Sequence, residues 1–216
     1  MKTPQSALLL HGTDRLGFEN EIRPHFSQAD FDRIMSAYRL SKYGHRNQFR
    51  DTGERYFEHP KILALLLVRL KVYDADIIIA ALLHDVIEDS YILEKQDVTN
   101  WFGARCCNFI MKVTKVKNAD GSFDLVAYFA AMLADEVGTW LVKLADRLHN
   151  LSTLPDGDDS ASKLKCRQKK DKQVAETIQF ILPLATALAN TQGFESLGKW
   201  FYAELTAWCQ YHSQQT

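Results

Sequence analysis

The apolar positions of this chain recur mostly at the three- and four-residue spacing of α-helices and rarely alternate as in strands. One such pattern begins after Ser27 or Asp30, either of which can cap a helix, and it continues toward Gln48. Residues 61–71 are apolar nearly all round, which is typical of a buried helix that begins at Pro60. Further helices are predicted over residues 77–88, 97–114, 123–133, 139–150, 162–191 and 196–211, with a kink or an end at Pro183.

Turn-forming residues separate these helices. Residues 51–54, 116–122 and 155–160 are rich in aspartate, asparagine, glycine and serine, as loops are. The last of these is the clearest break in the pattern, but it is too short to link two domains. The sequence therefore predicts one all-α domain over residues 1–216. We expect a helical bundle with a core of about residues 27–192 and a C-terminal helix packed on it.

Composition narrows the class of protein. A hydrophobic share of 46% and a charged share of 25% are ordinary for a globular domain, and no apolar run is long enough to span a membrane. The formal net charge of −1 argues against bulk electrostatic binding to nucleic acid. The 4 cysteines show neither a disulfide framework nor a CxxC pair. We therefore expect a cytoplasmic protein that binds neither nucleic acid nor membrane, and the sequence leaves its oligomeric state open.

Histidine and carboxylate side chains interrupt the apolar stretches. His84 and Asp85 follow an apolar run, and Asp146 lies in a helix that is otherwise apolar around it. Buried groups of this kind need a partner, because an unpaired buried charge is costly. A mixed imidazole and carboxylate set suits manganese, iron or zinc. In a continuous helix His84 and Glu88 would lie one turn apart, as would Asp85 and Asp89, so that ligands and acid/base groups share neighbouring faces.

Each of these residues also has an ordinary structural explanation. A lone histidine on an apolar helix is more often a hydrogen-bonded core residue than a metal ligand. Asp146 could form an ion pair with the adjacent Arg147, and His149 could be a surface group. What favours a metal site is the conjunction of these residues rather than any one of them. From the residues alone, both explanations stay open.

Two stretches of sequence stand out, AALLHDVIED at residues 80–89 and VKLADRLHNL at residues 142–151. In their order along the chain, these motifs resemble those of the HD superfamily, and more narrowly the hydrolase domain of RelA/SpoT homologues, which remove pyrophosphate from alarmone nucleotides. Weaker matches precede and separate the two stretches, at residues 44–50, 53–60, 101–103 and 113–115. A His-Asp pair alone would be a weak signal, whereas this set in this order, over about residues 30 to 190, is strong.

The resemblance implies a metal centre and two acid/base residues. The ligands of one divalent cation, manganese, would be His59, His84, Asp85 and Asp146. Glu88 and Asp89 would orient or deprotonate the attacking water and assist the leaving group. The metal would lower the pKa of water and offset charge on the phosphoryl oxygens. The implied reaction is removal of the 3′-pyrophosphate of (p)ppGpp or (p)ppApp.

The resemblance also implies residues that hold the nucleotide. Arg50 would stack on the base, and Asn150 and Thr153 would contact the ribose or its phosphates. Family members usually carry a lysine after this arginine, whereas Asp51 stands here, so an adenine base becomes a candidate beside guanine. Arg55 could replace the lost positive charge. A basic cluster at residues 163–172 could bind phosphates, although a solvated helix face explains most of it equally simply.

We expect a stand-alone hydrolase, because the 216 residues leave no room for the synthetase and regulatory domains of long family members. Two alternatives remain. The first is another HD phosphatase, acting on a different nucleotide such as NADPH. The second is an inactive regulator that only binds nucleotides. An inactive member would be expected to have lost a ligand or an acid/base residue, and all six of those positions are filled here.

Overall fold

The computed structural model describes residues 4–89, 94–115, 121–155 and 160–214, and only the backbone at residues 88, 89, 160 and 161. Within these ranges the chain forms α-helices, short 3-10 turns, one π-helical turn and an isolated bridge between Phe49 and Arg55. The helices are α1 (Arg15–Ile22), α2 (Gln28–Gly44), α3 (Glu58–Arg69), α4 (Ala75–Leu83), α5 (Val86–Asp89), α6 (Lys95–Phe102), α7 (Ala104–Val113), α8 (Leu125–Leu133), α9 (Val137–Ser152), α10 (Ser160–Glu176), α11 (Leu182–Ala189) and α12 (Glu195–Ser213). The predicted all-α class is confirmed.

Side-chain caps decide where two of the predicted helices begin. At α2 the cap is Ser27, whose hydroxyl accepts from the backbone N–H of Asp30 at 3.1 Å. At α4 the cap is Asp74, whose carboxylate accepts from the N–H groups of Asp76 and Ile77. A carboxylate or hydroxyl in this position satisfies N–H groups that have no partner inside the helix. Of the two candidate caps for α2, Ser27 and Asp30, the structure uses the earlier one.

The predicted helix over residues 97–114 is two helices. Gly103 separates α6 from α7 and adopts a positive φ of 91°. Glycine enters this region without the steric penalty of a Cβ, so the chain can turn there. The apolar positions before and after Gly103 keep the same helical spacing, so the sequence pattern does not reveal the turn.

The long helix predicted over residues 162–191 is also divided. A π-helical turn at Thr177–Ile181 joins α10 to α11, and Pro183 lies in the first turn of α11. Proline has no N–H to donate to the preceding turn, and a local widening of the helix accommodates this loss. The helix is thus interrupted just before Pro183, where the sequence predicted a kink or an end. Two boundaries differ as well, since α2 ends at Gly44 and α3 begins two residues before Pro60.

The hydrophobic pattern does not predict the short N-terminal helix α1. In α1 only Phe18 and Ile22 are buried, and the helix packs against α3. Arg69 of α3 attaches the N-terminal segment to the bundle by donating hydrogen bonds to the carboxylate of Glu21 and to the carbonyl of Leu9. Two buried positions in eight residues give too weak a periodicity to identify a helix from sequence.

The core is centred on α3, α4 and α9, which pack against one another. The side chains from Leu63 to Leu67 are fully buried, as are Ile78 and Leu144. The last helix, α12, packs against α9 and α11. None of the helices in the described part of the chain has the length and apolar composition that a bilayer crossing requires. The start of α3, the end of α4 and the middle of α9 meet at one place, where the candidate site lies.

Candidate metal centre and adjacent pocket

Three of the predicted metal ligands meet inside the bundle. His59 lies in the first turn of α3, His84 directly after α4, and Asp146 in α9, and all three are buried. His59 Nε2 is 3.3 Å from Asp146 Oδ1, and His84 Nε2 is 3.9 Å from the same oxygen. One donor atom from each residue lies within 4.8 Å of the others, so the three could hold a metal ion.

The fourth predicted ligand, Asp85, borders this group. Its Oδ1 is 3.1 Å from His84 Nε2, and its Oδ2 is 3.8 Å from His59 Nε2. The hydroxyl of Tyr56 donates to Asp85 Oδ2 at 2.8 Å, which orients the carboxylate. Both oxygens of Asp85 therefore face the two histidines. The sequence motif around Tyr56 was recognised, but this contact was not foreseen.

The His-Asp pair lies in a turn, contrary to the predicted continuous helix over residues 77–88. The chain leaves α4 at Leu83 and re-enters a helix, α5, at Val86. Consecutive residues of an α-helix point about 100° apart. The turn removes this constraint, so that His84 and Asp85 face the same centre. The prediction of one continuous helix through residues 77–88 is therefore wrong. The side chains of residues 88 and 89 lie outside the described part, so the roles of Glu88 and Asp89 stay predictions.

The charges at this centre are strongly coupled. Burial lowers the pKa of His84, but the carboxylates of Asp85 and Asp146 outweigh it and raise that pKa to about 9. Burial lowers the pKa of His59 and keeps this imidazole neutral. Burial would raise the pKa of both carboxyl groups, yet the neighbouring cations lower it, chiefly His84 at Asp85 and Lys143 at Asp146. Without a metal, a proton on His84 balances part of the carboxylate charge.

The side chains at this centre fit a divalent cation. His84 Nδ1 lies 3.0 Å from the carbonyl of Ala81, and because a carbonyl only accepts, Nδ1 must carry a proton. His84 Nε2 is buried and lies 3.1 Å from Asp85 Oδ1 and 3.9 Å from Asp146 Oδ1. In place of a proton, a divalent cation bound to this nitrogen would face both carboxylates. Imidazole nitrogens combined with carboxylate oxygens suit a borderline divalent metal.

Two residues hold the carboxylate of Asp146 in place. Lys143, one helical turn earlier, donates to Oδ2 at 2.8 Å and is itself buried. Asn150, one turn later, donates to Oδ1 at 2.5 Å. Burial lowers the pKa of Lys143, but the Asp146 carboxylate outweighs it and raises that pKa, so the ammonium stays charged. Sequence reasoning missed Lys143, although its spacing of three residues from Asp146 on a helix was the signal.

The three predicted nucleotide-binding residues also meet. The Arg50 guanidinium donates from Nη2 to Asn150 Oδ1 at 2.8 Å and to Thr153 Oγ1 at 3.2 Å. These residues line a cavity of about 40 Å³ together with Lys169 and Gln173 of α10. Because Asn150 also contacts Asp146, the cavity adjoins the metal centre.

An ion pair lies beside this cavity. Lys169 Nζ is 2.5 Å from Asp51 Oδ2, and both side chains are about half-exposed or more. Hydrogen bonding to Lys169 lowers the pKa of Asp51 and keeps it ionised. The cation next to Asp51 is thus a residue of α10 and belongs to the basic cluster at residues 163–172.

The ordinary explanations for two residues do not hold. Arg147 Nη2 pairs with Glu176 of α10 at 2.9 Å and not with the adjacent Asp146. His149 is 1% exposed, so it is not a surface group. Its Nδ1 lies 2.8 Å from His59 Nδ1 and 3.4 Å from Arg50 Nη1. His149 therefore connects the metal centre to the adjacent cavity.

Comparison with known proteins agrees with this arrangement. The family model described as HD domain matches residues 37–190, a span that contains His59, His84 and Asp146 as well as the adjacent cavity. The chain belongs to the HD domain family.

Similar proteins narrow the resemblance to the RelA/SpoT group. The chain is 35% identical over 168 residues to a GTP pyrophosphokinase of Myxococcus xanthus, covering 74% of this chain and 21% of that protein. It is 32% identical over 191 residues to the bifunctional (p)ppGpp synthase/hydrolase SpoT of Escherichia coli, covering 82% and 26%. The chain thus spans about a quarter or less of these relatives. A solved structure of a metazoan ortholog of SpoT, described as hydrolysing ppGpp, has the same fold, with a TM-score of 0.54 at 24% identity over 75% of this chain and 96% of that one.

Proposed function

We propose that this protein is a metal-dependent phosphohydrolase that removes the 3′-pyrophosphate of alarmone nucleotides. The products would be pyrophosphate and the corresponding nucleoside 5′-diphosphate or 5′-triphosphate. The observation that carries the proposal is the position of the buried His59, His84 and Asp146 directly beside the Arg50 cavity. The similarity to curated proteins named guanosine-3′,5′-bis(diphosphate) 3′-pyrophosphohydrolase, for example 32% identity to one from Aquifex aeolicus, supports the choice of substrate.

The metal would be held by four side chains. We assign His59, His84, Asp85 and Asp146 as ligands of a single manganese ion. The bound cation would act as a Lewis acid toward a phosphoryl oxygen and would lower the pKa of water. The protein's own contribution is to fix the ligands, and supporting hydrogen bonds of this kind commonly change metal affinity by about 10- to 100-fold. Tyr56 orients Asp85, and Lys143 orients Asp146.

Proton transfer is assigned to the helix that follows the His-Asp turn. Glu88 and Asp89 lie in α5, which begins one residue after Asp85. We propose that these two carboxylates orient the attacking water, remove its proton and assist the leaving group. A positioned general base contributes about 10²- to 10⁴-fold to a rate. Their loss should therefore slow turnover without emptying the metal site.

The cavity around Arg50 has to open for a nucleotide. Its volume of about 40 Å³ is far below the several hundred Å³ of ordinary ligand sites. The Arg50 guanidinium fills the space by bonding to Asn150 and Thr153. We propose that Arg50 turns away from these two residues to stack on the base, which leaves both free to bind the ribose or its phosphates.

The base preference is assigned to Asp51. Its carboxylate only accepts hydrogen bonds, whereas adenine presents an amino donor where guanine presents a carbonyl acceptor. We therefore propose that (p)ppApp is accepted at least as well as (p)ppGpp. The neighbouring Lys169 affects the charge of Asp51, because its ammonium pairs with that carboxylate and can instead bind a nucleotide phosphate.

The proposed partner is thus a small anionic nucleotide. A cytoplasmic location is also proposed, supported by four free cysteines.

The decisive experiment is turnover of matched ppGpp and ppApp by the manganese-loaded protein, with the products identified by chromatography. Release of pyrophosphate from either nucleotide supports the proposal, and the ratio of the two rates gives the base preference. His84→Ala is the matched control, since it should remove metal binding and turnover together. If the metal-loaded protein binds neither nucleotide, or releases only orthophosphate or acts only on NADPH, the proposed function is wrong.

A further inference from the structure

His149 contacts both a candidate metal ligand, His59, and the cavity residue Arg50. It lies in α9 one turn after Asp146, and it is almost fully buried. On one side its Nδ1 is 2.8 Å from His59 Nδ1. On the other side the same nitrogen is 3.4 Å from Arg50 Nη1. The opposite nitrogen of His59, Nε2, faces Asp146 Oδ1 at 3.3 Å.

The donor at Arg50 determines which nitrogens of His149 and His59 carry hydrogens. A neutral imidazole has one N–H and one bare nitrogen, whereas the guanidinium of Arg50 can only donate. His149 Nδ1 must therefore be the bare nitrogen if it faces Arg50. His59 Nδ1 then carries the hydrogen and donates it to His149. This leaves His59 Nε2 bare and directed at the metal centre.

The alternative arrangement prevents metal binding. If His149 Nδ1 carried the hydrogen, it would point an N–H at the N–H of Arg50. His59 would then have its own hydrogen on Nε2, where it would donate to Asp146 in place of a cation. The two Nδ1 atoms are 2.8 Å apart, so one of them carries the hydrogen of this contact and the other is bare.

We propose that His149 is a positioning residue that holds His59 in its metal-binding tautomer, with Arg50 selecting that tautomer through His149. The inference rests on the proposed metal centre but not on the identity of the nucleotide. Because Arg50 donates to the same nitrogen of His149, it contributes to metal affinity even when no nucleotide is present.

The test is calorimetric titration of metal-free protein with Mn²⁺, without nucleotide. His149→Phe keeps a ring of similar size but removes the acceptor, so it should weaken Mn²⁺ binding by about 10- to 100-fold, as loss of a hydrogen-bond partner to a ligand typically does. His149→Asn restores an acceptor oxygen near the former Nδ1 and should retain most of the affinity. His212→Phe is the matched control, since this buried histidine bonds to the carbonyl of Leu151 and does not contact the candidate metal ligands. It should leave Mn²⁺ affinity unchanged.

A double-mutant cycle and a spectrum test the tautomer itself. Arg50→Met should weaken Mn²⁺ binding in the wild-type background but should add nothing in the His149→Phe background, because the acceptor is already gone. Nitrogen-15 spectra of the histidine side chains should show His59 protonated at Nδ1 and His149 at Nε2. Equal Mn²⁺ affinity of His149→Phe and wild type, or a proton on His149 Nδ1, would overturn the proposal. If wild type binds Mn²⁺ but turns over no alarmone, the proposed function fails and this inference remains testable.

Discussion

Metal binding should release close to one proton per site at about pH 7, and the source should be His84. The carboxylates around it raise its pKa to about 9, so in the metal-free protein this imidazole is protonated at neutral pH. A metal can bind Nε2 only after that proton has left. The other candidate ligands contribute no protons, because His59 has a lowered pKa and is already neutral, and the lowered pKa values of Asp85 and Asp146 keep both ionised.

The free-energy cost of removing this proton follows from the difference between the pKa of His84, about 9, and the pH of the experiment. Each pH unit of that difference is equivalent to about 1.4 kcal/mol, so at about pH 7 deprotonation of His84 reduces the metal-binding free energy by roughly 3 kcal/mol. Since a raised pKa favours the protonated form, metal affinity must increase as the pH rises. The expected slope is about tenfold per pH unit up to about pH 9, where it should level off.

Calorimetry with Mn²⁺ in buffers of different ionisation enthalpy measures the number of protons released. The same titration at several pH values between about 6.5 and 9 gives the slope. His11→Gln is the control, because His11 is exposed and lies outside the metal centre, and it should release the same number of protons as wild type. Metal binding without proton release, or with an affinity that does not change over this range, would refute the assignment of His84.

Three further predictions concern catalysis, specificity and stability. Glu88→Gln should leave Mn²⁺ content nearly intact and slow turnover by about 10²-fold or more, as loss of a general base does; an empty site would instead identify Glu88 as a ligand. Asp51→Lys should shift the ratio of ppGpp to ppApp turnover toward guanine, and an unchanged ratio would exclude Asp51 from base selection. Arg147→Met should cost about 1–3 kcal/mol in urea unfolding, because the partly buried Glu176 loses its nearest cation and keeps Lys172 at 3.9 Å. Adding Glu176→Met should recover most of that loss, and a double variant no more stable than the single one would contradict the explanation.

The Arg147–Glu176 pair should also give stability a pH dependence. The Glu176 carboxyl is partly buried, which raises its pKa, but Arg147 outweighs this and lowers the pKa below the ordinary value of 4.5. Because the pKa of Glu176 is lower in the folded protein than in the unfolded chain, the ion pair stabilises the fold above about pH 4.5. This stabilisation is lost as the pH falls through the pKa of Glu176 in the folded protein. Wild type should therefore lose more stability than the double variant when urea unfolding is repeated under acidic conditions.

Local periodicity identified most of the helices, because each repeats its apolar positions within a few residues. It also predicted that His84 and Asp146 would be buried, since each follows a stretch of apolar residues. Local patterns could not locate the turn at His84 and Asp85, because the apolar positions before and after it remain compatible with one helix. The same holds for Gly103, where the break depends on a positive φ.

Contacts between distant segments were decided by tertiary structure alone. Arg50 meets Asn150 across 100 positions, and His59 meets His149 across 90. The pairing of Lys169 with Asp51 and the burial of His149 likewise depend on how α9 and α10 pack against the loop before α3. The sequence by itself determined which side chains are available for metal and nucleotide chemistry, because residue types and their local spacing are written along the chain. Which nitrogen faces which oxygen depended on the packing of helices, since only packing brings residues so far apart in sequence within hydrogen-bonding distance.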